Sequence, residues 1–443
     1  MSEYAEPTLP SMKTPARQTD WAALGMGLFL LTCALVLVGT VPILALLGLS
    51  AVFTLDHSDA LMLLMLAAGM FALGVLLIPG VYFNARKFFN LPETAGRLPE
   101  VNPRLLLVTL FAAWLISILS GYGISRNAAA SLFLLPFINV VALFLPIGIV
   151  LTLGLQGLPL PAPRRAWSLF GASAILGPSI SIFFELFAVV AVLLAFARYA
   201  SSTPGIDVPF QMLVDELQNE AASVESISQQ VTTLLLAPGT TIFLLALFAL
   251  AVPIIEETFK VFLLWFYAGR LRSPVEGFVL GALSGAAFAL AENISFSSVG
   301  AEGWAANALT RATAALPHIF NSALMGWALA AAWQKPKPGS QSASRQSRWA
   351  GKRSLIRLAG VYLAVVFIHG TWNALSVALA LTSMSSFAAD VSPAVEATSP
   401  ALIVWGVLIF GLLAGLFLVN QQLRKQAANE AAEEMGYNPP SSS

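Results

Sequence analysis

The sequence predicts an all-α polytopic membrane protein of about ten transmembrane helices, with a four-helix catalytic core in its second half. Three observations predict it. The 443-residue chain is 57% hydrophobic and only 10% Asp, Glu, Lys or Arg, where a soluble domain carries about 25% charged residues. Its mean hydropathy is +0.79. Apolar runs of the length a bilayer requires, about 20 residues, recur from end to end. Four consecutive runs in the second half are nevertheless interrupted by ionisable groups: Glu256, Glu257 and Lys260, then Glu292, then His318, then His369.

The first run follows a polar stretch, residues 1–20, that contains Lys13 and Arg17 and reads as a cytoplasmic N-terminal tail. At roughly 30 residues the run exceeds the about 7–15-residue core of a signal peptide. It therefore reads as a retained anchor over 21–53. Spans at 60–83, 104–123, 128–154 and 167–199 complete an N-terminal membrane region, 21–199, whose role the sequence leaves open. Several runs are longer than one crossing needs. Tilt, or breaks at Pro42, Pro136, Pro178 and Pro253, would absorb the excess, and the first and fifth spans are the places to look for a break. Residues 200–238 form an acidic extracytoplasmic loop with Asp207, Asp215, Glu216, Glu220 and Glu225. Phe210, Leu213, Leu217 and Ala221 recur there at the spacing of an amphipathic helix. Spans at 239–269, 275–297, 312–333 and 355–382 make the core region, 239–382. A final span at 400–420 and a cytoplasmic tail occupy 383–443.

The charged residues agree with this order. Arg86, Lys87, Arg164, Arg165, Arg270, Arg272 and the basic, low-complexity stretch 334–353 fall in alternate loops, and acidic residues fall in the others. Positive loops stay in the cytoplasm. An even number of spans with both termini inside fits every loop, with Arg126 and Arg311 as minor exceptions. The stretch 334–353 has the composition of a disordered segment. Formal net charge is zero, so the balance implies no nucleic-acid partner. The partner implied by the composition is the lipid bilayer. The single cysteine, Cys33, excludes an intrachain disulfide and a cysteine metal site.

The interrupting residues carry the chemistry. A charged group at membrane depth costs about 2.5–3.5 kcal/mol on insertion scales, and such residues mark functional sites by default. One of them alone could be a satisfied interhelical hydrogen bond; six in four consecutive spans are not explained that way. Glu256 and Lys260 are four apart and can pair. Glu257 points about 100° away from Glu256. The expected division is that Lys260 holds Glu256 while Glu257 serves as the positioned base. Glu292 follows Phe288 by four residues, and Asn293 follows it directly. Gly277, Gly281 and Gly285 form a small-residue face suited to close helix approach. His318 is followed by Asn321 and Ser322, and His369 by Gly370 and Asn373. Placed on helices, all the candidates lie within about 9 Å of their span centres at about 1.5 Å per residue, so they can converge. Glu185, an isolated carboxylate in the fifth span, is assigned a structural or gating role. His57 is read as a solvated loop residue.

These residues, in this order, resemble the PrsW family of intramembrane proteases, within the CAAX-protease and bacteriocin-processing superfamily. The resemblance is carried by Glu-Glu-x-x-Lys at 256–260, Phe-x-x-x-Glu-Asn at 288–293, Arg311 ahead of His318, and His369-x-x-x-Asn373. The stretch Ser273-Pro-Val-Glu-Gly277 is similar to the approach to the family's second motif. It covers about residues 240–380. One departure is Asn373, at a position often acidic in the superfamily. The resemblance implies hydrolysis of a peptide bond in or beside the membrane segment of an anchored, anti-sigma-like regulatory substrate. It implies catalytic roles for Glu256, Glu257, Glu292, His318 and His369, supported by Lys260, Phe288, Asn293, Arg311 and Asn373. There is no His-Glu-x-x-His. Glu257, Glu292, His318 and His369 are candidate ligands for zinc in a three-ligand site. The same groups could activate water without a metal. Lys260 would repel a divalent ion placed near it, so the metal-free reading is preferred to zinc. The alternative function is a proton- or ion-coupled transporter, which lacks the repeated halves such carriers show.

Overall fold

The computed structural model describes residues 20–54, 57–91, 102–219, 223–237, 239–296, 301, 303–333, 346–388 and 395–434. Each predicted span coincides with helix. The N-terminal region comprises α1 (Trp21–Thr54), α2 (His57–Phe88), α3 (Pro103–Ser125), α4 (Ala128–Leu155) and α5 (Pro163–Ser202). The acidic segment forms two short helices, α6 (Asp207–Gln218) and α7 (Val224–Leu235). The sixth span is composite: α8 (Thr240–Leu245), a π-helical stretch (Ala246–Ala251), α9 (Val252–Lys260), α10 (Phe262–Tyr267) and a final 3₁₀ turn. Then come α11 (Pro274–Ser295), α12 (Trp304–Trp333), α13 (Gln346–Ala388) and α14 (Val395–Glu434).

Several sequence expectations need correction. No break interrupts α1 or α5, and Pro42, Pro136 and Pro178 lie inside continuous helices. The 40-residue α5 would be about 60 Å long, twice the hydrocarbon thickness, so its ends must stand clear of the membrane core. Among the described residues, the sixth span, which holds Pro253, is the one that changes its winding. The amphipathic segment is two helices rather than one, and Ala221 lies outside the described residues. His57 is not a solvated loop residue: it opens α2, and its Nε2 lies 3.0 Å from the Ser131 hydroxyl. Residues 346–353, expected to be disordered, begin α13. The disorder expected for 334–345 and the tails 1–19 and 435–443 lie outside the described residues.

Among the described residues, nine helices are long and apolar enough to cross a membrane. The predicted eighth span falls in α12, which has the length but not the hydropathy. It needs none, because every residue from 314 to 323 is buried. A helix wrapped by other helices meets protein rather than lipid, so polar side chains on it can find partners. Its main neighbour is α11, the most enclosed of the nine at 83% buried, which also packs on α5, α4 and α2. In contrast, the most apolar stretches of α1, α5 and α14 are largely exposed. Apolar burial drives little here, since lipid is as apolar as leucine; close backbone packing and polar contacts hold such helices together.

Candidate active site

The site begins with backbone that the sequence forces into place. A Cβ added to Gly277, Gly281 or Gly285 of α11 would collide with the carbonyl oxygen of Gly326, Ser322 or His318 respectively. Three glycines at four-residue spacing thus let α12 approach until His318 lies against the turn that leads to Glu292. The start of α11 is set by Ser273, whose Oγ accepts from the Glu276 N–H at 3.2 Å. Glu276 in turn accepts from the Arg272 N–H and pairs with Arg165 of α5.

The π stretch has an equally local cause. The Val252 N–H bonds Leu247 five residues back. The same register would give Phe248 O to residue 253, but Pro253 has no N–H. Asn373 supplies the missing donor: its Nδ2 bonds Phe248 O at 2.9 Å. Gly370 lets α13 close on the neighbouring Ala249 carbonyl, where a Cβ would clash. Asn373 is therefore a packing donor, a part that an ionised carboxylate in its place could not play. At the other end of α9, the Ser284 hydroxyl donates to the Lys260 carbonyl where the helix breaks at Val261. Both contacts fix the rotation of the turn that carries Glu256, Glu257 and Lys260.

All five proposed catalytic residues come together. Lys260, its side chain fully buried, lies 2.8 Å from Glu257 Oε1 and 3.0 Å from Glu256 Oε2. His369 Nδ1 lies 2.9 Å from the same Glu257 oxygen. Glu292 Oε2 is 2.9 Å from His318 Nε2, while its Oε1 is 3.0 Å from Arg311. The rings of His318 and His369 are 5.6 Å apart, edge to face. Phe288 stacks on His318 at 5.9 Å and receives Lys260 over its face at 4.9 Å. Arg311 also bonds Asn293 Oδ1 through Nε, at 2.8 Å.

The expected division between the two glutamates is not exclusive. Lys260 touches both, but Glu257 is the one enclosed, 1% exposed, with Oε1 shared by Lys260 and His369. Although Nδ1 also lies 3.3 Å from the Lys260 ammonium, its shorter contact is to a carboxylate that, ionised, only accepts; a proton on Nδ1 serves that contact and leaves a lone pair on Nε2. That nitrogen lies 3.8 Å from Glu256 Oε2. Glu257 and His369, both candidate ligands, are not in the group of closely spaced ligand atoms, although Glu257 Oε2 is buried without a hydrogen bond. Glu256 is in that group, together with Glu292 and His318: one ligand atom from each lies within 4.8 Å of the other two.

This group fits a divalent ion. Glu256 Oε2 and Glu292 Oε2 are buried without a hydrogen bond of acceptable geometry. Glu292 Oε2 and His318 Nε2, although 2.9 Å apart, do not point at each other as donor and acceptor. Ligand atoms about 2.1 Å from a tetrahedral ion stand about 3.4 Å apart, and the candidate atoms, within 4.8 Å of one another, need only small side-chain shifts to reach that spacing. The charge argument against a metal fails as well. Three carboxylates, Glu256, Glu257 and Glu292, outnumber the two cations that face them, Lys260 and Arg311. The preference for a metal-free site therefore has no support here.

One group, Arg165, escaped the sequence reading of the site, and Asn321, named there beside His318, has a partner the sequence did not give. Asn321 donates to Val365 O at 3.3 Å, one turn before His369, and ties α12 to α13. Arg165 had been counted only as a loop charge.

Residues 219–410 match the family model for PrsW family intramembrane metalloproteases. The match extends beyond the 240–380 expected, into the acidic segment and the last span. No match was found among curated proteins or among solved structures.

Proposed function

Because residues 219–410 match the model of the PrsW family of intramembrane metalloproteases, we propose that this multi-pass membrane protein is an endopeptidase. It cuts a peptide bond in or beside the membrane segment of a membrane-anchored substrate, with a regulatory protein as the substrate class. The single observation that carries the reading is the meeting of Glu256, Glu292 and His318, from three different helices, at one buried point. These three would hold a divalent ion such as zinc. When bound, such an ion polarises a carbonyl and makes water a stronger nucleophile at neutral pH.

The chain's own residues divide the remaining work. Glu257 fixes His369 with Nε2 free, and Nε2 takes the proton of the attacking water. The resulting imidazolium returns a proton to the leaving amine. Glu257 and Lys260 are balanced against each other, so the charge on His369 rises and falls beside a compensated pair. Arg311 keeps Glu292 Oε1 occupied and leaves Oε2 turned toward His318. Phe288 closes the site from behind, against Lys260 and His318. The transporter alternative has no supporting observation.

Purified protein in liposomes, offered a single-span substrate, separates these roles. Glu256→Gln, Glu292→Gln and His318→Ala should lose both bound zinc and cleavage. His369→Ala should keep zinc and lose cleavage by about 10²-fold or more. Full-rate cleavage by Glu256→Gln would end this assignment.

A further inference from the structure

Helix α5 lies outside residues 219–410, yet it runs along the site. It pairs with α11 in one constant register. Arg165 meets Glu276, Ser173 Oγ lies 2.8 Å from Ser284 Oγ, and Gly177 faces Phe288, whose ring would meet a Cβ there at 3.2 Å. Each pair is 111 residues apart, so the two helices run parallel. The next step on α11 is Glu292, and the next steps on α5 are Ser181 and then Glu185. Phe184 stacks on Phe259 of α9 with ring centroids 5.0 Å apart, which pins this stretch of α5 beside the catalytic turn.

Neither Ser181 nor Glu185 is used by the mechanism above. The Ser181 side chain is buried, and its hydroxyl has no hydrogen-bond partner. Glu185 is half-buried, has no hydrogen bond or ion pair among the described residues, and lies within electrostatic reach of Glu256, Glu292 and Lys260. Its neighbours Ile182, Phe183, Phe184, Leu186 and Phe187 are exposed on the outside of the bundle. A polar group left without a partner at this depth is costly, and such groups are found where something is to be bound.

A membrane-spanning substrate presents the matching need. As a helix it satisfies every backbone group internally, and lipid offers no replacement. Drawing the chain out at the scissile bond strips several N–H groups of their acceptors. The geometry points to Ser181 and Glu185 as positioning residues that accept backbone N–H groups of a substrate helix unwound beside Glu256 and Glu292. Ser181, buried, is level with the site, and Glu185, half-buried, stands one turn beyond it beside side chains open to lipid. The inference rests on the protease reading.

The test uses two single-span substrates with the same residues around the scissile bond. One is helical throughout; the other has a proline placed to break the helix there. The full-length protein in liposomes should cut both. Glu185→Leu should cut the helical substrate at least about tenfold more slowly, the worth of one lost buried hydrogen bond, and cut the broken one as wild type does. Glu185→Gln, which keeps a carbonyl acceptor of the same size, should retain most cleavage of the helical substrate. Ser181→Ala should show the same substrate preference, more weakly. Equal loss on both substrates in Glu185→Leu would mean a structural role and overturn the inference. So would Glu185→Gln failing as badly as Glu185→Leu, which would mean that charge, reading a cation on the substrate, is what matters. If the wild type cuts neither substrate, the protease reading itself falls, and this inference with it.

Discussion

Lys260 stands four residues from Glu256 and three from Glu257, and its ammonium reaches both carboxylates. That is why the two glutamates could not be told apart by spacing. Their positions one residue apart showed that they occupy different faces, but a lysine between those faces can pair with either. What decides is His369, on a helix more than 100 residues away in sequence, whose rotation no local pattern gives. Lys260 is thus the residue on which the charge balance rests. Lys260→Met should leave two buried carboxylates facing each other and destabilise the protein by about 3–5 kcal/mol. Adding Glu257→Gln to it should recover part of that loss. Unfolding in mixed detergent checks both values; a Lys260→Met protein as stable as wild type would show that the carboxylates are compensated elsewhere.

At the scale of elements, the repeat of Gly277, Gly281 and Gly285 was legible as a close-packing face, and the structure shows its use. The partner carbonyls belong to His318, Ser322 and Gly326, also four apart, so two matched faces set the depth of His318 against Glu292. Gly281→Ala should therefore push α12 away, cost about 1–3 kcal/mol as overpacking does, and slow cleavage. Gly406→Ala, where a Cβ meets nothing within 4 Å, should be neutral in both. Thermal unfolding and cleavage rates of the two variants, compared side by side, decide this; equal behaviour would remove the helix contact from the account. The π stretch was less legible. Pro253 signalled a disturbed ladder, but not that the disturbance would be absorbed as a π turn. That outcome depends on Asn373 and Gly370 of α13 arriving at the right height, and a sequence pattern does not state heights.

For the whole molecule, hydropathy and loop charge were enough to find the helices, including α12, whose own composition is too polar for a lipid-facing span. They did not show that α12 is enclosed, nor that α5 is continuous through Pro178, because both depend on neighbours. From the alternation of basic and acidic loops we propose that both termini and residue 340 lie on the cytoplasmic side, and residue 215 on the opposite side. Reporter fusions at residues 215 and 340 test that orientation: a residue 215 fusion active in the cytoplasm would invert it. The N-terminal five helices are not a separate support, since α5 lies against both α9 and α11 and the site is built within reach of Glu185.

The central claim is that Glu256, Glu292 and His318 hold a divalent ion needed for cleavage. The most direct measurement takes the purified full-length protein in lipid and removes metal by exhaustive chelation and dialysis. Stoichiometric zinc is then returned, with metal content and cleavage of a single-span substrate followed together. The account predicts about one zinc bound per chain in the wild type, loss of cleavage with the metal, and recovery of both on its return. It predicts that Glu256→Gln recovers neither. Undiminished cleavage by metal-free protein would contradict it.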